Sequence, residues 1–241
     1  MITVSGFLRK LTIGPSQPCS YSLCLDKQAP IPLNPHLGKK ILFSFKGRIQ
    51  CINCHRPTKK SFNQGYCFVC FRKLAQCDHC MVKPELCHYH LGTCREPAWG
   101  QSVCMKKHIV YMSYTSDIKV GITRHTNIPS RWLDQGATLA LPLFEVATRR
   151  QSGLIEVALK EYFKDRTNWR TMLKHDHYDT NLSSVWHSFL DTHGAQLQSS
   201  ISQSEVLTSP PPKSVDQHQP PQSFRYPRLD APINIKSIFV T

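Results

Sequence analysis

The sequence predicts an α+β protein in four parts: a small β region over residues 1–50, a zinc-binding module over 51–105, a ββαβα domain over 106–194, and a disordered low-complexity linker with a short terminal segment over 195–241. Three observations predict it. Cysteines recur as Cys-x2-Cys pairs in a stretch with few aliphatic side chains. Between residues 108 and 163 the apolar period changes from two to about 3.6. Gln, Ser and Pro crowd residues 195–224.

Composition narrows the function before any motif is read. Hydrophobic residues make up 40%, and 17 prolines outnumber 11 glycines, so part of the chain is expected to stay unpacked. No apolar run approaches the ~18 residues of a membrane span. The stretch Met1-Ile2-Thr3-Val4-Ser5-Gly6-Phe7-Leu8-Arg9-Lys10 has neither a basic leader nor an apolar segment of signal-peptide length. A cytoplasmic protein is expected, with no membrane partner. Net charge is +14, and its distribution is uneven: residues 1–110 hold 16 basic and 4 acidic side chains, against 10 and 9 over 111–194. Two four-thiolate zinc centres would still leave the front half near +8, by the roughly −2 that each contributes. A surface of that sign holds polyanions by counterion release, which makes nucleic acid, DNA or RNA, the leading partner; solubility alone is the plainer alternative.

In residues 1–50, short apolar pieces at Phe7-Leu8, Tyr21 to Leu25 and Ile41 to Phe45 are separated by prolines and Gly38, which predicts short strands. Alternation from Ile41 to Ile49 predicts a strand with one buried and one wet, basic face. Cys19 and Cys24 are read as packing residues.

The next segment carries the metal pattern. Cys51-x2-Cys54, twelve residues, then Cys67-x2-Cys70 is the spacing that closes a tetrahedral Zn2+ site. Two intervening residues let a tight knuckle aim both sulfurs at one ion, and four thiolates leave no place for a reactive water, so the site is structural. A second set follows in Cys77, Cys80 and Cys87 with either Cys94, which keeps all-sulfur ligation, or His90, which keeps the x2 rhythm. Two structural zinc ions are expected, ligated in sequence or crossed between the pairs. His79 and His88 are read as surface residues and Cys104 as a packed thiol. Around the first site stand Arg48, Arg56, Lys59, Lys60, Arg72 and Lys73, with Phe62, Tyr66 and Phe71 interleaved. Cations can follow phosphates while rings stack bases; equally, the rings could simply cover the metal.

From residue 108 the pattern is that of an ordinary α+β unit. Strands are expected at His108–Thr115, Ile118–Thr123 and Leu141–Thr148, with a helix from Ile128 to Gln135 that has Pro129 in its first turn. A second helix, capped by Ser152, carries Ile155, Ala158, Leu159, Tyr162 and Phe163 at the spacing of one buried stripe. Over 195–224, six Gln, seven Ser and five Pro leave too little apolar area to offset chain entropy, which predicts a flexible linker. Ile233, Ile235, Ile238, Phe239 and Val240 restore apolar character at the end.

Ile109-Val110-Tyr111, then Lys119-Val120-Gly121, Arg131-Trp132 on the first helix and Glu156 on the second resemble the GIY-YIG endonuclease fold in the same element order. With Lys119 to Arg124, Arg131 to Ala137, Asp165 to Arg170 and the preceding cysteines, the chain is similar to an uncharacterised bacterial family that joins a zinc-binding segment to a divergent GIY-YIG-like domain. The resemblance implies a phosphodiesterase, an endonuclease with an atypical second motif, that uses Mg2+ or Mn2+. It implies that Tyr111 helps activate water, that Arg131 faces the charge on phosphorus, and that Glu156 holds the hard cation. Lys119 stands where the second motif has tyrosine, and Gln135 where a histidine often follows the arginine. An ammonium can bind phosphate but is a poor base at neutral pH.

Plainer readings stand beside these. Tyr111 could be a core residue, Arg131 could pair with Asp134 or Asp165, and Glu156 precedes Lys160 by four residues, the favoured order for a helix ion pair. Trp132 and Trp169 are read as hydrophobic anchors. The alternative function is a binding module without catalysis on the same fold, or a protein-interaction module in which the charge is incidental.

Overall fold

The computed structural model describes residues 3–164, 166–168, 170, 172, 180–203, 212–215 and 221–227; Asp165, Trp169 and the apolar stretch Ile233 to Val240 lie outside the described residues. The chain forms two compact units, one drawn from Met1–Cys77 and Arg225–Thr241, the other from Asp78–Phe224.

In the first unit, prolines and small residues break the chain into β1 (Thr12–Gly14), β2 (Ser20–Leu23) and β3 (Ile31–Pro32), an antiparallel sheet in that order. Asn34 fastens its return: its side chain accepts from the Tyr21 amide at 2.8 Å and donates to the Cys19 carbonyl at 2.9 Å. Cys19 is fully buried, as a packing residue should be. The strand expected at Ile41–Ile49 contracts to β4 (Ile49–Gln50), which pairs with β5 (Pro57–Thr58). Residues 41–48 are all exposed. Alternation stabilises a strand only where a neighbour and a covering layer exist, and among the described residues none covers this segment. One short helix, α1 (Phe68–Lys73), closes the metal-binding loop.

The second unit opens with three 3-10 turns over 79–81, 84–86 and 89–91, followed by α2 (Pro97–Val103), whose Pro97 suits a first helical turn. Then come β6 (His108–Tyr114), β7 (Ile118–Arg124), α3 (Ser130–Asp134), β8 (Leu139–Val146) and α4 (Arg149–Leu159), the expected ββαβα order. A long helix, α5 (Leu182–Gln203), and two short strands, β9 (Lys213–Ser214) and β10 (Gln222–Ser223), complete it. The sheet is antiparallel, with β6 between β7 and β8, and with β9 and β10 both on the far side of β8.

Period-two burial sends Val110, Met112, Val120, Ile122, Leu141 and Leu143 into a core shared with Ile155 and Leu159 of α4 and with Trp186, Phe189 and Leu197 of α5. Two expectations shift here. The cap of α4 is Thr148 rather than Ser152: its hydroxyl accepts from the Gln151 amide at 3.2 Å while Gln151 Oε1 accepts from the Thr148 amide at 3.1 Å, a reciprocal capping box. Residues 195–203, read as linker from composition, are helical because Leu197 and Ile201 return to the core face at helical spacing.

α4 lies close on the 84–86 turn. A Cβ on Gly153 would stand 2.5 Å from the Glu85 amide nitrogen and 2.6 Å from Pro84 Cβ, so the helix approaches because that position has no side chain. Gly153→Ala should therefore destabilise this unit by about 1–3 kcal/mol, visible as a lower urea midpoint, even though alanine is the better helix former.

His108, at the start of β6, is fully buried; its Nδ1 lies 2.7 Å from the Lys106 carbonyl, and among the described residues Nε2 has no hydrogen-bond partner. Burial pushes its pKa down to about 4, the Lys106 carbonyl works against this, and Arg149 and Arg124 add to it. The imidazole is thus neutral in the fold, whereas its ordinary value is 6.5. Between those values the unfolded chain binds the extra proton, so this contribution is complete above about pH 6.5 and is lost as pH falls towards about 4. From pH 7 to pH 5 the loss should be about 2 kcal/mol, and His108→Gln should shrink it in urea titrations at the two pH values.

Candidate functional site

The first site is a knuckle pair. Cys51 and Cys54 flank a tight turn in which the His55 amide donates to the Cys51 carbonyl at 3.1 Å and His55 adopts φ +58°. Ile52 donates to the Gly65 carbonyl at 2.9 Å, and Gly65, at φ +127°, leaves space that a Cβ would fill 2.6 Å from Ile52 Cγ2. Cys67 and Cys70 lie at the start of α1. The sulfurs of Cys51, Cys54, Cys67 and Cys70 all stand within 4.8 Å of one another, with Cys54 and Cys67 3.7 Å apart. The pairs that gather are thus sequential, 51/54 with 67/70, rather than crossed.

Charge is shared unevenly among these thiols. Burial pushes Cys51 up, but the backbone amides of Cys54, Cys67 and Asn53 outweigh it and take the thiol down to about 6. Cys70 goes to about 12, chiefly by burial, against the Asn53 side chain that donates to its sulfur at 3.5 Å. One thiolate thus discourages the next, and a divalent cation reverses that by meeting all four. Buried, all-sulfur and four in number, the set suits a structural metal such as zinc.

Arg48, Arg56, Lys59, Lys60, Arg72 and Lys73 are all exposed. Phe62 stacks on Phe71 with centroids 5.9 Å apart and meets Phe68 at 5.4 Å, while Lys60 and Arg72 lie over Phe62 and Phe68 at 5.4 and 5.8 Å. These rings pack on one another, and Phe68 keeps 51% of its surface in solvent.

Of the second cysteine set, Cys77 falls in the first unit, while in the second unit burial, then the charges of Asp78, Cys87 and Cys104, push Cys80 up to about 12. Cys77 is buried in the first unit, where its charge is felt by Tyr66 together with those of Cys51 and Cys70. In the second unit the ligand atoms that gather within 4.8 Å are those of Asp78, Cys80 and His88. Cys87 is buried beside the 84–86 turn, Cys94 is half-buried and His90 exposed, and none joins that group. Asp78 is engaged by a cation of the chain itself, Arg95 Nε at 2.6 Å, with His88 Nε2 at 3.7 Å. The sequence pointed to neither Asp78 nor His88; only their positions beside Cys77 and Cys87 hinted at them.

The Tyr111 site is built from four elements of the second unit, β6, β7, α3 and α4. In β6, a register shift between Val110 and Tyr111 against β8 marks a bulge, a device that re-aims a side chain. Across β7, Tyr111 pairs with Gly121, where an added Cβ would lie 2.8 Å from the phenol oxygen. The third motif position is thus glycine because the phenol occupies the space. Trp132 of α3, fully buried, meets the Tyr111 ring edge-on at 5.8 Å, which confirms it as an anchor. Tyr111 donates to Gln135 Oε1 at 2.7 Å.

Tyr111 is fully buried, and burial pushes its phenol up to about 12; the Arg131 guanidinium works against this and the Glu156 carboxylate adds to it. Arg131 on α3 and Glu156 on α4 are thus both near enough to Tyr111 on β6 for their charges to act on its phenol. Arg131 is exposed above the buried phenol. Glu156 forms the anticipated helix pair with Lys160, Oε2 to Nζ 3.6 Å, with 12% of its side chain exposed. Lys119 lies on the same face of the sheet as Tyr111 but is buried and donates to Thr167 Oγ1 at 2.8 Å.

Fold and site together define a mixed antiparallel-sheet protein with a four-thiol cluster that could hold a metal. The chain belongs to the family described as "Protein of unknown function (DUF2797)", whose model matches residues 38–241. No curated protein and no solved structure matches it. Among the described residues, no helix is long and apolar enough to cross a membrane.

Proposed function

We propose that this protein is a zinc-containing cytoplasmic phosphodiesterase that acts on nucleic acid, with a divergent GIY-YIG-like site dependent on Mg2+ or Mn2+. The observation that carries the reading is that the charges of Arg131 on α3 and Glu156 on α4 both reach the Tyr111 phenol on β6, the one lowering and the other raising its pKa. Each suits a share of phosphodiester cleavage. Arg131, exposed, can meet the equatorial oxygens of an incoming phosphate. Glu156 offers a hard carboxylate at the edge of the site, the donor type that Mg2+ takes together with water. A cation held there would supply charge stabilisation and a more acidic water. Tyr111, with its pKa near 12, remains a phenol at neutral pH, and Gln135 holds that proton away from solvent. Its proton stays directed at Gln135, so as a phenol it positions the site rather than taking a proton from water.

The second reading, a binding module without catalysis, is favoured by two observations: Lys119 replaces the second motif's tyrosine and is turned to Thr167, and the Tyr111 phenol is sealed against Gln135. Labelled single-stranded and duplex DNA and RNA, incubated with the purified chain and Mn2+ or with EDTA, separate the two. Metal-dependent products made by the natural chain alone, and absent with Glu156→Ala, support the enzyme. Binding with no products in any condition would overturn it in favour of the binder. Zinc is proposed for the four-thiol site, and a second ion for the Asp78–Cys80–His88 group; two zinc equivalents by elemental analysis is the expected result.

A further inference from the structure

From Lys27 to Cys77 the chain contains no acidic residue and ten cationic ones, Lys27, Lys39, Lys40, Lys46, Lys59, Lys60, Lys73, Arg48, Arg56 and Arg72. At its centre lies the segment whose strand does not form. Ile41 is 49% exposed, Leu42 88%, Phe43 60% and Phe45 50%, within four cations at Lys39, Lys40, Lys46 and Arg48. Among the described residues, none hydrogen-bonds to the backbone of residues 40–46. A soluble chain seldom leaves four large apolar side chains in five positions open to water without a use for them.

We infer that residues 39–48 grip single-stranded nucleic acid, with Phe43 and Phe45 stacking on bases and the flanking lysines and Arg48 following the phosphates. The inference rests on the nucleic-acid part of the proposed function and names its substrate class. Charge complementarity selects the polyanion. When the segment is extended, rings at i and i+2 stand about 6.8 Å apart, roughly twice the ~3.4 Å step of a stacked strand, which leaves room for one base between them. In a duplex the base faces are already covered by their neighbours, so exposed rings discriminate for the single strand. A bilayer is a poorer fit, because an unpaired, non-helical backbone cannot enter hydrocarbon without losing its water. A second copy is also a poorer fit, because pairing this segment with itself would set lysines against lysines, the arrangement that protects exposed edges from pairing.

The test uses the full chain carrying Glu156→Ala, which removes cutting, so a failure of the catalytic reading leaves the measurement intact. Fluorescence anisotropy with a labelled 12-nucleotide oligo-dT or oligo-rU, against a duplex of the same length, should show tighter binding of the single strand and a steep loss of affinity with salt. Phe43→Ala/Phe45→Ala should weaken single-strand binding about tenfold or more and duplex binding less than twofold, while Phe43→Trp should retain affinity. Both positions are exposed, so unchanged zinc content and circular dichroism are expected to confirm folding. Equal affinity of the double variant would overturn the inference. So would ring-dependent pelleting with vesicles containing phosphatidylserine in the absence of oligonucleotide binding, or a ring-dependent dimer in sedimentation velocity.

Discussion

Cys67→Ser should abolish zinc binding at the four-thiol site and open the first unit, because the buried residues described there are mostly thiols. The buried residues there are chiefly the thiols themselves: Cys51, Cys67 and Cys70 form its packed cluster, bordered by Cys54, Tyr66 and Leu74. Apparent zinc binding is worth about 10–16 kcal/mol in such sites, more than the whole stability of most small domains. The four tryptophans, 99, 132, 169 and 186, all fall within Asp78–Phe224. Loss of metal should therefore leave tryptophan emission largely unchanged while residues up to Cys77 become open to protease. Chelation of the natural chain should likewise open residues up to Cys77 to protease, and acid should promote release because protons compete with the ion for thiolate. A chain that stays protease-resistant in the first unit after verified removal of its ion would refute this account.

Glu156→Ala and Arg131→Ala should each lower metal-dependent cleavage by about a hundred- to a thousandfold, the range seen when one oriented charge is removed from a developing anion. Nucleic-acid binding should persist in both, since the exposed cations of the first unit are untouched. Arg131→Lys should recover part of the loss, because a point charge replaces the charge but not the planar fork. Tyr111→Phe separates proton handling from packing: it keeps the ring against Trp132 and Gly121 and removes only the hydroxyl held by Gln135. If cleavage continued unchanged in Glu156→Ala, the activity would belong to another site or to a contaminant.

Much of the second unit was legible in advance, for a local reason. β6, β7, β8 and α4 are each specified by the period of their own apolar residues, so their type and order follow without knowledge of their neighbours. The cap was misplaced by four residues because Ser152 and Thr148 are both good caps; Gln151, three after Thr148, is the discriminating residue. Helix α5 was hidden by composition, since its serines and glutamines look like linker until Leu197 and Ile201 are seen to share a core face.

By itself the sequence determined the gathering of the four thiols, the order of β6, β7, α3, β8 and α4, and the concentration of positive charge in the front half. Each of these depends on spacing along the chain: two residues within a knuckle, two within a strand, three to four within a helix. Tertiary structure alone decided that Cys80 meets Asp78 and His88, that Lys119 turns to Thr167, and that residues 41–48 find no partner strand among the described residues. It also decided that the charges of Arg131 and Glu156 reach the Tyr111 phenol. Such contacts join residues far apart in the chain, and periodicity carries no information about which distant side chain fills the space opposite.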